Sequence, residues 1–273
     1  MKIGFIGTGN MGTILIEALL ESEAVKPSQL YLFNRTKEKA LRIQQKFETI
    51  HVVDEVDVIS KYCDCIFVCV KPHQIPEVLE AIKNNLTQEQ CIVSITSPVT
   101  VEELELLVPC QVARIIPSIL NRALTGASLM TFGDRLSDVW KRTLTEVFSH
   151  ISKPIKMEEN ITRISSDIVS CGPAFFSYLA ERMMEAAVKK SNITKEEALF
   201  LTTEMLIGLG ELLKQKHYTL PTLIEKVCVK NGITGEGISV LESHLDGVFE
   251  EMFTKTNDKF LLDKKLLQGH FNG

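Results

Sequence analysis

The opening of the chain, Met1-Lys-Ile-Gly-Phe-Ile-Gly-Thr-Gly-Asn-Met-Gly12, constrains its fold more than any other stretch. Ile3, Phe5 and Ile6 form a short apolar run of strand type. Gly7-Thr8-Gly9-Asn10-Met11-Gly12 then spells G-x-G-x-x-G, and Met11, Leu15, Ala18 and Leu19 recur at helical spacing directly after it. Strand, glycine turn and helix together are the context in which this motif marks a dinucleotide site. Gly7 permits the tight turn, Gly9 lets a pyrophosphate approach the backbone, and Gly12 lets the helix pack close to the strand. The free N–H groups and the positive end of the helix dipole then face the phosphates.

A chain of 273 residues is long for one domain and suits two. Its net charge of −5 argues against nucleic acid or an anionic membrane surface as a default partner. No apolar run reaches the length needed to cross a bilayer, and the first residues read as a strand, without the basic lead and cleavage site of a signal peptide. The seven cysteines are odd in number and scattered, mostly in apolar runs, which fits free thiols in a reducing cytoplasm. Cys63, Cys65 and Cys69 lack a C-x-x-C pair or a nearby histidine cluster, so no metal site is expected.

Leu30-Tyr-Leu-Phe33 is the second expected strand. It ends at Asn34-Arg35-Thr36, roughly twenty residues beyond the glycine turn, where this fold meets the adenosine ribose. An acidic residue there would select NAD(H). Neutral Asn34 followed by Arg35, Thr36 and Lys37 suits a phosphate dianion instead, so NADP(H) is favoured. A plainer reading makes Arg35 a solvated charge and Thr36 the N-cap of the helix that follows. Residues 36–47 read as a helix, 50–53 as a strand, 54–61 as a short helix and 65–70 as a buried strand. The last ends in Val70-Lys71-Pro72-His73, where proline forces the chain out of the sheet near the switch point that binds ligands. Lys71 there suits a phosphate or is a solvated loop lysine. Further strands are expected at 91–95, 111–116, 127–131 and 154–157, with a capping box at Thr100–Glu103 and an amphipathic helix over 136–149. The alternation predicts a Rossmann-type, doubly wound parallel sheet, with antiparallel additions among the late strands.

Beyond about Glu158 strand runs stop and helical periodicity takes over. This divides the chain into a dinucleotide-binding domain over residues 1–158 and an all-helical domain over 159–273. Helices are expected at 173–190, 194–216, 221–229 and 236–253, with a loop at 230–235 and a tail after Phe260 expected to fray. The helices carry more apolar positions than one chain can bury, which predicts a homodimer or higher homo-oligomer through this region.

Taken together these residues make the chain resemble the pyrroline-5-carboxylate reductase family over nearly its whole length. The resemblance is carried by the opening glycine motif, by Val70-Lys-Pro72, by Ser94-Ile95, by Cys171-Gly-Pro-Ala174, and by Gly232-Ile-Thr234 with Gly237 and Val240-Leu-Glu242. It implies NAD(P)H-dependent reduction of a cyclic imine, domain-swapped dimers, and a site shared between the cofactor domain and a partner's helical loop. Carried over residue by residue, it implies Thr234 as the hydrogen-bond donor to the ring nitrogen and the Lys230-Asn231-Gly232-Ile233-Thr234 loop as substrate-binding. Thr234 also reads, more plainly, as the N-cap of the next helix.

The departures are equally specific. Pro117-Ser118-Ile119-Leu120 stands where the family has proline-asparagine-threonine-proline, Thr96-Ser97 where it has alanine-glycine, and Val229-Lys230-Asn231 where it has serine-proline-glycine. An intact cofactor half beside a drifted substrate half resembles a paralogue, such as the late-competence branch of the family. Three functional classes follow: an NADPH-dependent reductase of pyrroline-5-carboxylate or a close analogue, a reductase of the same architecture with another substrate or a deazaflavin cofactor, and a weakly or non-catalytic dinucleotide-binding protein in a regulatory role.

Overall fold

The computed structural model describes residues 1–230 and 232–271. Eight strands form one sheet: β1 (Ile3–Ile6), β2 (Leu30–Phe33), β3 (His51–Val52), β4 (Cys65–Val68), β5 (Cys91–Ser94), β6 (Gln111–Ile116), β7 (Ala127–Phe132) and β8 (Lys153–Lys156). Their order is β3-β2-β1-β4-β5-β6-β7-β8. Neighbours from β3 to β6 are parallel, β7 runs antiparallel to β6, and β8 runs parallel to β7. The strand order reverses between β1 and β4, which is the switch point of a doubly wound sheet.

Side chains of the central strands alternate between two cores because successive residues in a strand face opposite ways. Ile3 and Phe5, Cys65 and Phe67, and Cys91 and Val93 enter one apolar cluster, in which the Phe5 and Phe67 rings stack at 4.8 Å. Ile6, Ile66, Val68 and Ile92 enter the other. The first cluster is closed by α1 (Asn10–Glu21), α2 (Lys37–Lys46) and α6 (Asp138–Ser149). The second is closed by α3 (Val56–Tyr62), α4 (Ile75–Ile82) and α5 (Val101–Leu107). With helices on both faces, the inner strands are buried throughout and read as continuous apolar runs.

The helical part comprises α7 (Thr162–Ser166), a π-helical turn (Asp167–Cys171), α8 (Gly172–Lys190), α9 (Lys195–Lys214), α10 (Leu220–Val227), α11 (Ile233–Leu245) and α12 (Val248–Phe271). By contacts the chain falls into two compact units, Met1–Pro173 with Lys255–Gly273, and Ala174–Thr254. The texture boundary at 158 is thus not the compactness boundary. Residues from 159 to 173 are held to the sheet by Arg114, whose fully buried guanidinium reaches Glu159 and Thr162.

Two sequence expectations need correction. Residues 236–253 are not one helix: Gly247 has φ +75°, and the chain breaks at Asp246–Gly247 between α11 and α12. Residues 261–271 continue α12 instead of fraying, and Leu267, buried in the second core cluster, anchors the helix to the sheet unit; the last two residues of the expected tail lie outside the described residues.

The Ala174–Thr254 unit has almost no core of its own. Ala198 is its one buried residue among those described, while Phe176, Phe200, Leu201 and Met205 are 66, 64, 57 and 45% exposed.

Candidate functional site

The glycine turn sits at the carboxyl end of β1, beside the switch point. Gly7 has φ +103°, and a Cβ there would stand 2.6 Å from the Cys69 carbonyl oxygen. A Cβ on Gly12 would stand 2.4 Å from the Gly7 carbonyl oxygen, so the third glycine is required for α1 to approach the turn. Gly9 differs: nothing lies within 4 Å of its Cβ position. The close approach it permits is therefore to something outside the chain. Gly9 is also the N-cap of α1, with no side-chain cap and no acidic residue in the first turn, so the first N–H groups of the helix are left for an anion.

Thr8 completes this cradle. Its backbone N–H donates to Asn34 Oδ1 at 2.9 Å, while its buried hydroxyl has no hydrogen-bond partner among the described residues. A buried polar atom without a partner is costly. Its place beside the open Gly9 position fits a phosphate oxygen. Asn34 Nδ2 donates to the Thr36 carbonyl at 2.8 Å. Asn34 therefore ties the glycine turn to the end of β2, a positioning role that its place in the sequence did not announce. Thr36 occupies the N-cap position of α2, but its hydroxyl makes no capping bond, so the plain capping account does not explain it.

A cleft of about 400 Å³ opens between the glycine turn and the ends of β2 and β4. Gly7, Gly9, Asn34, Arg35, Thr36, Val70 and Lys71 all border it, as do Cys69, Val56 and Val78 on its apolar side. Burial pushes the Cys69 thiol well above its ordinary range, which keeps that wall neutral. A second cleft, of about 570 Å³, lies between α1 and α2 and is bordered by Thr8, Gly9, Asn10, Lys39, Arg42 and Lys46 among others. Met11 and Pro72 border neither cleft. Pro72 instead opens the short turn Pro72–Gln74 that carries the chain out of the sheet.

Of the residues assigned to substrate, Lys230, Gly232, Ile233 and Thr234 lie in the second compact unit, and Asn231 lies outside the described residues. Gly232 is the N-cap of α11, so the helix begins three residues earlier than its periodicity suggests and Thr234 is in its first turn. Thr234 is therefore not the cap. Its side chain is exposed and its hydroxyl makes no hydrogen bond among the described residues. Ile233 is 94% exposed.

Two of the drifted residues, Ser97 after β5 and Ser118 after β6, are held by hydrogen bonds to the segment that follows the sheet. Arg114 donates to the carbonyls of Ser97 and Val99, both at 3.3 Å, to Thr131 Oγ1 at 3.2 Å and to Glu159 Oε1 at 3.1 Å. Arg163 reaches Ser97 Oγ at 3.0 Å and pairs with the buried Asp167. Ser118 is buried and donates to the Val169 carbonyl at 2.7 Å, and Ser170 donates to the Pro117 carbonyl at 2.7 Å. These two bonds pin the π-helical turn, a rare geometry that frequently occurs at functional sites. Burial and the neighbouring Asp167 push the Cys171 thiol up, so it is protonated at neutral pH. Arg114 is the one charged residue in β6, buried between Val112, Ala113, Ile115 and Ile116, and a lone arginine in such a run is the signal that could have marked the network.

No group of three or more His, Cys, Asp or Glu side chains suited to a metal occurs among the described residues, and no helix is long and apolar enough to cross a membrane. Residues 2–98 match the family described as NADP oxidoreductase, coenzyme F420-dependent, and residues 159–261 match the pyrroline-5-carboxylate reductase dimerisation family. The chain is 49% identical over 272 residues to ComE operon protein 4 of Bacillus subtilis, covering all of both chains. It is 30% identical over 261 residues to pyrroline-5-carboxylate reductase 3 of the same organism, covering 96% of each. Its fold is similar to that of Plasmodium falciparum pyrroline carboxylate reductase solved with NADP bound. The TM-score is 0.83 at 22% identity, over 97% of this chain and 98% of that one. Identity of 30% to a reductase over 96% of both chains, with the dimerisation family matched behind the glycine-turn sheet, shows that the chain belongs to the pyrroline-5-carboxylate reductase family.

Proposed function

We propose that this protein is an NADPH-dependent reductase of a cyclic imine, pyrroline-5-carboxylate or a close analogue, working in the cytoplasm as a homodimer or larger assembly. The observation that carries the cofactor half is the orphaned Thr8 hydroxyl beside an unobstructed Gly9 and an uncapped α1 N-terminus. Gly7, Thr8, Gly9, Asn10, Met11 and Gly12 hold the pyrophosphate in this reading. Asn34, Arg35 and Thr36 meet the 2′-phosphoribose, and Val70, Lys71 and Pro72 shape the switch-point side. The functional division remains at 158/159, with cofactor recognition before it and substrate and assembly functions after it.

When bound, the dinucleotide supplies the hydride. The chain's work is positional, because an imine is electrophilic and needs little acid–base machinery. The free N–H groups at the start of α11, with Lys230, Asn231, Gly232 and Ile233, hold the substrate carboxylate. The Thr234 hydroxyl donates to the ring nitrogen, where charge changes during reduction. Assembly is supported by the exposed apolar side chains of α8, α9 and α10 and by the dimerisation match at 159–261. Cytoplasmic placement rests on seven free cysteines.

The drift at Val229 removes a hydroxyl that the family uses near the carboxylate. Losing one hydrogen bond to a charged group costs roughly 1.5–3 kcal/mol, about ten- to over a hundredfold in binding. The expected result is weak NADPH oxidation with pyrroline-5-carboxylate and a high KM. Restoring serine-proline-glycine at residues 229–231 lowers that KM, and Thr234→Ala chiefly lowers kcat. The second reading, a scarcely catalytic paralogue in a competence-related role, is favoured by the 49% identity to ComE operon protein 4 together with the drifted loop. It becomes the better account if the protein binds NADPH yet neither it nor the restored loop reduces any cyclic imine.

A further inference from the structure

We propose that Lys39 and Arg42, on the side of α2 that borders α1, form a second arm of the site for the cofactor's 2′-phosphate. Preference for the phosphorylated dinucleotide then lies in the helix as well as in the Asn34–Thr36 turn. The inference rests on the NADPH reading and names residues that neither the motif nor the resemblance assigns.

The observations begin with charge. In a chain of net charge −5, residues 35–46 hold five basic side chains and one acidic one. Two of the five are neutralised. Lys37 pairs with Asp54, and Lys46 donates to Glu17 at 2.6 Å. Glu17 is occupied on its other oxygen by Arg122, at 3.3 Å, and Arg122 also pairs with Glu21. No carboxylate of α1 is thus left for the remaining cations. Arg35, Lys39 and Arg42 make no hydrogen bond or ion pair among the described residues.

Their placement is unfavourable for α2 itself. Lys39 is in the first turn, where the helix dipole disfavours a cation. Lys39 and Arg42 are three residues apart on α2, a spacing at which like charges repel along a helix, while Arg35 stands just before the N-cap Thr36. Glu38, four residues before Arg42, offsets part of this for Arg42, so the burden falls chiefly on Lys39, and a bound dianion relieves it. Lys39 borders both the cleft that contains Asn34, Arg35 and Thr36 and the cleft that contains Thr8 and Gly9. Arg42 borders the second only, one turn further along the same side. The two cations therefore continue the Arg35 site toward the N-terminus of α1, where an anion is already accommodated. A local positive field on an acidic protein also draws a polyanionic cofactor to this edge.

The test is a fluorescence titration of the full-length protein with NADPH and with NADH, for the wild type, Lys39→Gln, Arg42→Gln and the double variant. Lys39→Gln is expected to weaken NADPH about tenfold or more while leaving NADH within about twofold, the size of one lost charge-assisted contact. Arg42→Gln has the smaller effect, and raised salt narrows the gap between wild type and variants. Displacement of bound NADPH by adenosine 2′,5′-bisphosphate, but not by ADP, follows the same ranking. Variants that keep the wild-type NADPH-to-NADH ratio, or that lose both nucleotides equally, overturn the inference and leave the NADPH reading intact. A wild-type protein that binds both nucleotides equally, or neither, overturns both.

Discussion

The sheet unit and the Ala174–Thr254 unit are built from equally apolar sequence and treat it in opposite ways. In the first, helices on both faces bury every residue of β1, β4 and β5. In the second, α8 to α11 are regular helices, two of them (α9 and α10) closed by capping boxes, and many of their apolar side chains stay exposed within one chain. Burial of apolar surface is the main favourable term in folding. The sheet unit therefore carries its own stability, while the helical unit must obtain it from another surface. The contrast teaches that local signals and tertiary stability are separable: caps and periodicity make a helix definable, and only packing makes it stable.

The strongest way to break this contrast is to make the helical surface charged. Leu201→Glu with Met205→Glu, one turn apart on α9, is expected to abolish the assembly outright. Size-exclusion chromatography with light scattering reads the result, and a wild type that is already monomeric would contradict the need for cover. Within the sheet unit, Glu159→Ala leaves the fully buried Arg114 without its carboxylate. Glu159 is itself over a third exposed and Arg114 keeps its carbonyl and hydroxyl acceptors, so the cost falls below that of a fully buried pair, at about 1–3 kcal/mol. A denaturant titration should place the loss there, without dissociating the assembly.

The glycine turn sharpens the comparison inside one motif. Gly12→Ala drives a Cβ into the Gly7 carbonyl and is expected to cost about 1–3 kcal/mol or more in stability. Gly9→Ala meets nothing in the chain, so thermal unfolding of the ligand-free protein should not move, while NADPH binding falls tenfold or more, about 1.4 kcal/mol. Equal effects of the two substitutions on unfolding would remove the assignment of Gly9 to ligand approach.

The smallest effect belongs to an exposed cap. Thr194 donates to Glu197 from its N–H and its hydroxyl, both at 2.9 Å, and these bonds hold the Glu197 carboxyl below its usual range. A depressed folded value means the contribution is complete above the unfolded carboxyl range, about 4.3, and is lost as pH falls through the folded value. Glu197→Gln should flatten that part of the stability profile slightly and leave neutral-pH binding unchanged.

Much of this was readable beforehand. Seven of the eight strands lie within a residue of their expected bounds at each end. The eighth, β4, is shorter than its apolar run and stops at Val68, where the chain turns toward Pro72. The cradle at Gly7–Gly12 and the neutral end of β2 were visible because close approach and charge selection depend on residue type at a fixed spacing. Arg114, Ser118 and the π-helical turn were not visible. Their hydrogen bonds span 45 residues to Glu159 and 51 to Val169, and no local pattern encodes a partner at that distance. The start of α11 was misplaced for a related reason, since Gly232, Gly235 and Gly237 weaken the periodicity that should have marked it.

By itself, then, the sequence determined the strand–turn–helix order, the lack of an acidic residue at the end of β2 and the location of capped helices, because each depends on side-chain chemistry within a few residues. Only the tertiary structure decided that Asn34 holds the Thr8 amide and that Glu17 is spent on Lys46 and Arg122. It likewise decided that Lys39 and Arg42 are left unpaired at a cleft, and that Leu267 closes a core begun by Ile6. Those outcomes depend on which distant groups the fold brings within a few ångströms, and a charge or a methyl group acquires its partner only there.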